Sequence, residues 1–115
     1  MKYASLILLL IAMPGGMFAI TAKSGEPISP AARSAGSLYS SNCASCHGRD
    51  GGARTSRGRR NHSRNLKDPE WQDRTSDERI FNSIMNGKGK MPGYSKKLSE
   101  KEIDAMVAYV RGLRK

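Results

Sequence analysis

Residues 43–47 read Cys-Ala-Ser-Cys-His, and no other stretch limits the fold as strongly. Two cysteines three residues apart, followed at once by a histidine, form the attachment signature of a c-type haem. The spacing has a chemical reason. On one helical turn positions i and i+3 share a face, so Cys43 and Cys46 can both reach the two vinyl groups along one side of a porphyrin. His47 then turns its imidazole under the iron as proximal ligand. In such a chain the macrocycle is part of the core, and the polypeptide without it is poorly ordered.

Three other chemistries use these residue types. A thioredoxin-like redox pair needs a βαβ context, and the flanking sequence shows none. Cys43, Cys46, His47 and His62 could be gathered around zinc, although adjacent Cys46 and His47 would then bind one small ion and the usual second ligand pair is missing. A structural disulfide across so short a loop would stabilise little and leaves the histidine without a role.

The length bounds the answer at one short domain of 115 residues. Aromatic residues make up 6% of the chain, thin for a small core, and a buried macrocycle would supply the missing apolar mass. Residues 1–22 have the pattern of a secretory leader. Lys2 gives the positive start, residues 4–12 form an apolar run, and Pro14, Gly15 and Gly16 break it ahead of small residues. Cleavage is expected after Ala22, or alternatively after Thr21. Residues 3–22 carry no charge and are long enough to span a bilayer, so an uncleaved anchor is the competing reading; the Pro-Gly-Gly interruption argues against it. Residues 23–29 read as a linker, and residues 30–115 as the domain.

Within the domain the periodicity is helical throughout, with no repeats and no strand-like alternation of any length. Ser29-Pro30 looks like an N-cap and first helical position leading through Ala35, Leu38 and Tyr39 into the cysteine motif. Residues 49–67 read as loop, carrying seven Arg and Lys against Asp50 alone. A solvated surface, an acidic partner, the haem propionates and anionic lipid are each compatible with that run. Thr75 or Ser76 caps a helix to about Asn86, with Thr75-x-x-Glu78 as a capping box, Ile80, Phe81, Ile84 and Met85 on one face and Gly87 as its stop. Ser99-x-x-Glu102 is a second capping box, with Leu98 and Ile103 as its hydrophobic staple. Ile103, Met106, Val107, Val110 and Leu113 then make a stripe with Tyr109 on its flank.

Between these last helices lies Gly87-Lys88-Gly89-Lys90-Met91-Pro92-Gly93-Tyr94. Of six methionines, Met1, Met13 and Met17 fall in the leader, and Met85 and Met106 fall on helices. Met91 alone sits in a glycine-hinged loop followed by proline. A thioether is a soft neutral ligand, and a Met/His pair raises a haem's potential. Met91 is therefore the candidate for the second axial position, with an exposed loop methionine as the alternative.

Gly36, Tyr39, the run from Cys43 to Gly48, and Lys90-Met91-Pro92-Gly93-Tyr94 together resemble the class I cytochromes c, over about residues 30–113. The resemblance implies an all-α fold, three or more helices around one covalently bound haem c, ligated by His47 and Met91 and joined to Cys43 and Cys46. It implies that Gly36 packs against an aromatic of the last helix, here Tyr109, and that Trp71 contacts a propionate. The family's Gly-Pro-x-Leu element, whose proline carbonyl receives the proximal imidazole N–H, is absent. Residues 61–66 stand in its place, so the partner of His47 is unassigned and His62 is expected to be a surface loop histidine. Haem is attached to such proteins outside the bacterial cytoplasm, which agrees with a leader and a periplasmic location.

The implied activity is transfer of one electron, with no catalytic residue and no enzyme. Alternatives are a haem-bearing subunit of a dehydrogenase or oxidase complex, and a gas sensor in which Met91 is labile. Without Lys2 the chain has nineteen Lys and Arg against ten Asp and Glu. That excess points to a redox partner with an acidic docking surface. The leader excludes the nucleic-acid partner that charge alone would suggest.

Overall fold

The computed structural model describes residues 33–115; the leader, the linker and the Ser29-Pro30 cap lie outside them. The described residues form α1 (Ala35–Asn42), α2 (Ala44–His47), α3 (Ser56–Asn61), α4 (Pro69–Arg74), α5 (Asp77–Asn86) and α6 (Glu100–Gly112). Among them the only pairing of extended backbone is a single bridge between Lys88 and Met91.

α1 does not run from Pro30. Its N-cap is Ser34, whose side chain accepts from Ser37 N–H, and the backbone of Arg33 and Ser34 is not helical. α1 lies against α6, as expected of the two terminal helices. The contact is aromatic: Tyr39 and Tyr109 have ring centroids 4.8 Å apart, and a Cβ on Gly36 would stand 3.7 Å from Tyr109 Cε2. The predicted glycine–aromatic crossing is present, at ordinary van der Waals distance.

Leu38, Tyr39, Ile103 and Met106 are the deepest side chains, each at most 1% exposed. Removing each of the aliphatic ones from water contributes about 1.5–3 kcal/mol. Ile80 and Ile84 bring α5 into the same cluster, with Val107 and Val110 from α6. The Ser99–Glu102 capping box forms with both reciprocal bonds. At α5 the cap is Ser76, which accepts from Arg79 N–H, and Thr75 ends α4 instead of opening a capping box with Glu78. The competition is local: the Thr75 carbonyl is taken by Arg111, while the Ser76 side chain faces the first turn.

Two helices stand where the periodicity gave no sign of them. α3 has no apolar stripe; it is held by its cap and its docking. Thr55 accepts from Gly58 N–H at 2.8 Å, and its hydroxyl, shared between Ser45 O and Cys46 O, fastens the helix to α2. Gly58 allows the backbones to meet: a Cβ there would lie 2.2 Å from Cys46 O. α4 opens on Asp68, whose carboxylate accepts from Glu70 N–H, with Pro69 at the first helical position. Buried Gln72 then donates to Leu66 O and Val110 O, both at 2.8 Å, and staples α4 between the preceding loop and α6.

Candidate functional site

Among the described residues, helix packing leaves a cavity of about 860 Å³, within the range of about 300–1,000 Å³ that encloses a cofactor-sized ligand. Cys43, Cys46, His47, Trp71 and Met91 all line it, so every residue singled out from the sequence as a haem contact faces the same space. Met106 also reaches the cavity from the core, whereas Met85 packs against the core and does not line it.

Cys43 is the hinge between α1 and α2, and Cys46 and His47 belong to the single turn of α2. Both thiols are free and half-buried, with no bond between their sulfurs. Burial, and then the neighbouring Cys46, pushes the Cys43 thiol up to about 11, which marks an apolar niche and not an activated thiolate. Among the described residues no three His, Cys, Asp or Glu side chains gather closely enough to hold a metal ion.

His47 Nδ1 lies 2.9 Å from Arg64 O. A carbonyl only accepts, so Nδ1 carries the hydrogen and Nε2 keeps its lone pair for a metal. Burial holds the imidazole's pKa below its ordinary value, partly offset by the Arg64 carbonyl. Arg64 thus supplies the partner that the missing Gly-Pro-x-Leu element left unassigned. A backbone carbonyl has no residue signature, which is why only the range 61–66 was legible. His62 is exposed, as expected, though its ring borders the cavity, and it ends α3 in the left-handed conformation at φ 51°.

Met91 sits in the turn after α5. Lys88 and Met91 exchange backbone bonds of 3.0 Å in both directions, and Gly87 and Gly89 take positive φ. Trp71, from α4, is half-buried: it packs against the core and borders the cavity. The cavity's charge has one sign. Arg64, Arg74, Arg79, Lys88 and Lys90 line it, and no carboxylate does. The residues present fit a haem: two free thiols on one helical turn, an imidazole with a fixed tautomer, a loop thioether, and cations for carboxylates of the macrocycle.

Residues 30–110 match the family model described as cytochrome c oxidase, cbb3-type, subunit III. Cytochrome c6 of Bryopsis maxima is 39% identical over 80 residues, 64% of this chain and 81% of that protein. Subunit FixP of the cbb3-type cytochrome c oxidase of Azorhizobium caulinodans is 35% identical over 85 residues, and the match spans 28% of its length. Among solved structures, the c-type cytochrome KustC0563 superposes with a TM-score of 0.68 at 39% identity, covering 72% of this chain and all of that one.

Proposed function

The chain belongs to the monohaem class I cytochrome c family, whose members are electron carriers rather than enzymes, and on that premise we propose an exported one-electron carrier with His47 and Met91 as axial ligands. The observation that carries the ligand assignment is their convergence on one cavity, the imidazole with its Nδ1 hydrogen already committed to Arg64 O. Thioether bonds from Cys43 and Cys46 would hold the haem c, and Trp71 is the candidate propionate contact. When bound, the haem supplies a one-electron iron couple.

The polypeptide's work is positional. α2 keeps the two sulfurs on one turn and directs Nε2 of His47. Leu66, Ile80, Ile84 and Val110 give the space an apolar lining. With His47 and Met91 both holding the iron, no open position would be left for a substrate. Residues 1–22 and 23–29 would be the leader and linker that place the mature domain in the periplasm. Arg57, Arg59 and Arg60 are exposed on α3 and offer an acidic redox partner a docking surface.

A second reading is favoured by the family model and by FixP: the same domain as the haem-bearing subunit of a larger oxidase assembly. Co-purification from the native membrane separates it from a free carrier.

The deciding experiment is expression in a host competent for cytochrome maturation, followed by mass spectrometry and an optical spectrum of the exported product. The mass should equal residues 23–115 plus one haem that survives denaturing extraction. An exported chain without that added mass ends the proposal.

A further inference from the structure

The loop that carries Met91 is bonded through its backbone to itself, to the turn that follows and to the helix it leaves. Tyr94 N–H is shared between Ile84 O at 2.9 Å and Met85 O at 3.1 Å, and Ser95 N–H donates to Met85 O. Gly93 lies so close to the end of α5 that a Cβ there would stand 2.7 Å from the Asn86 carbonyl carbon. These contacts fix the loop to α5, but not to the cysteines.

Two side chains reach further. Lys90 Nζ donates to Arg60 O at 3.3 Å in an exposed position. The Tyr94 hydroxyl donates to Asn42 O at 2.7 Å, across 52 residues of sequence, and Tyr94 is 8% exposed. Asn42 is the last residue of α1 and precedes Cys43, so its carbonyl is one of those a helix end leaves without an internal partner. Tyr94 also borders the cavity. One phenol therefore joins the methionine loop to the residue before the first attachment cysteine.

We infer that Tyr94 is a positioning residue for Met91. Its hydroxyl holds the thioether loop in register with the cysteine turn and so sets how readily Met91 yields to an outside ligand. The inference rests on the proposed assignment of Met91 to the iron. Tyr94→Phe deletes the hydroxyl while keeping the ring in the core, so the loop loosens without a cavity being opened.

The test uses the exported holoprotein as parent, Tyr94→Phe, Lys90→Ala, Met91→Ala and the core control Val107→Ala. Imidazole is titrated into the oxidised proteins, with loss of the iron–thioether charge-transfer band as the readout, and carbon monoxide into the reduced ones, read from the shift of the main haem absorption band. Tyr94→Phe should keep the band and bind imidazole roughly three- to ten-fold more tightly than parent, the change expected for one lost hydrogen bond. Lys90→Ala should change it less, and Val107→Ala should lower the melting temperature without changing it. Parent-like imidazole affinity in Tyr94→Phe overturns the inference, as does an equal change in Val107→Ala, which would make the effect one of global stability. Persistence of the band in Met91→Ala would overturn the ligand assignment itself, a different failure read from a different variant.

Discussion

The stretch from Cys43 to Leu66 and the stretch from Met85 to Tyr94 border the same cavity but are held by different means. The first is folded back on itself. Thr55 and Gly58 dock α3 on α2, Arg64 O meets His47, Ala53 N–H donates to His47 O at 2.7 Å, and Leu66 N–H donates to Gly51 O. The second hangs from the end of one helix by backbone bonds and reaches the rest of the molecule through Tyr94 and Lys90. A histidine whose Nδ1 is committed to one carbonyl needs a wall that does not move. A methionine needs only its sulfur presented, and a tethered turn can do that. The expected hierarchy is that damage to the first wall costs the whole domain, whereas damage to the second costs the sulfur alone.

The largest effect should come from Gly58→Ala. The new Cβ meets Cys46 O at 2.2 Å and Ala53 O at 2.8 Å, backbone atoms that cannot swing aside. Displacing α3 from α2 should destabilise the holoprotein by about 3 kcal/mol and lower the yield of haem-loaded chain. Urea unfolding measures the first and absorbance per unit protein the second. A parent-like unfolding midpoint would mean that α3 is an ornament on this wall and the contrast drawn above is false.

Gly87→Ala is the matching change on the other side. Gly87 has φ 79°, and a Cβ would stand 2.6 Å from Met91 O. The cost should be about 1–2 kcal/mol and confined to the turn. The charge-transfer band should weaken while the covalent haem and the imidazole remain. If Gly87→Ala lowers haem incorporation as far as Gly58→Ala does, the two walls form one cooperative unit.

A smaller effect is one of pH. Asp50 is held down to about 2, first by Gly52 N–H and then by Lys67 and Arg54. A carboxylate with a folded pKa below its ordinary value adds stability that is present above about pH 4 and is lost as pH falls toward 2. Asp50 is exposed, so the contribution is modest. Parent and Asp50→Asn should converge in thermal stability over that acid window, with parent the more stable at neutral pH. A difference that stays constant from neutral pH to pH 2 would show that Asp50 acts through shape and not charge.

The same contrast explains what could be read in advance. The residues facing the cavity were legible because haem attachment demands fixed spacing at Cys43, Cys46 and His47, and because Met91 is isolated between glycines and a proline. The face of α5 and the stripe of α6 were legible because they bury apolar side chains at helical intervals. α3 was missed because Ser56–Asn61 buries no apolar face; its helicity comes from Thr55 and from a backbone contact at Gly58, neither of which periodicity records. The partner of His47 was missed for a related reason, since Arg64 acts through its carbonyl and any residue there could do the same. The start of α1 at Ala35 was not legible because a cap is chosen by backbone geometry, and nothing in the sequence marks Ser34 above its neighbours. Arg111, in the last turn of α6, also spans Asp77, Gln72 O and Thr75 O, contacts that helical spacing does not record.

The smallest effect tests the strain in the first wall. Its positive-φ positions include two that are not glycine, Ala53 at 55° and His62 at 51°, whereas the methionine loop uses only Gly87 and Gly89. A non-glycine residue there carries about 1 kcal/mol of steric cost from Cβ against the following carbonyl. Ala53→Gly removes that cost and keeps the N–H that donates to His47 O, but it gives the unfolded chain more freedom to lose. The two terms nearly offset, leaving a stabilisation of about 0.5 kcal/mol, small but measurable as a shift in the urea midpoint. Arg49, Arg54 and the docking face should be untouched, so reduction by an acidic partner should proceed at the parent rate. A clear loss of stability would instead mean that the Ala53 methyl contributes packing under the haem turn that outweighs its strain. The first wall would then owe its rigidity to side chains as much as to the backbone contacts at Gly58 and Arg64.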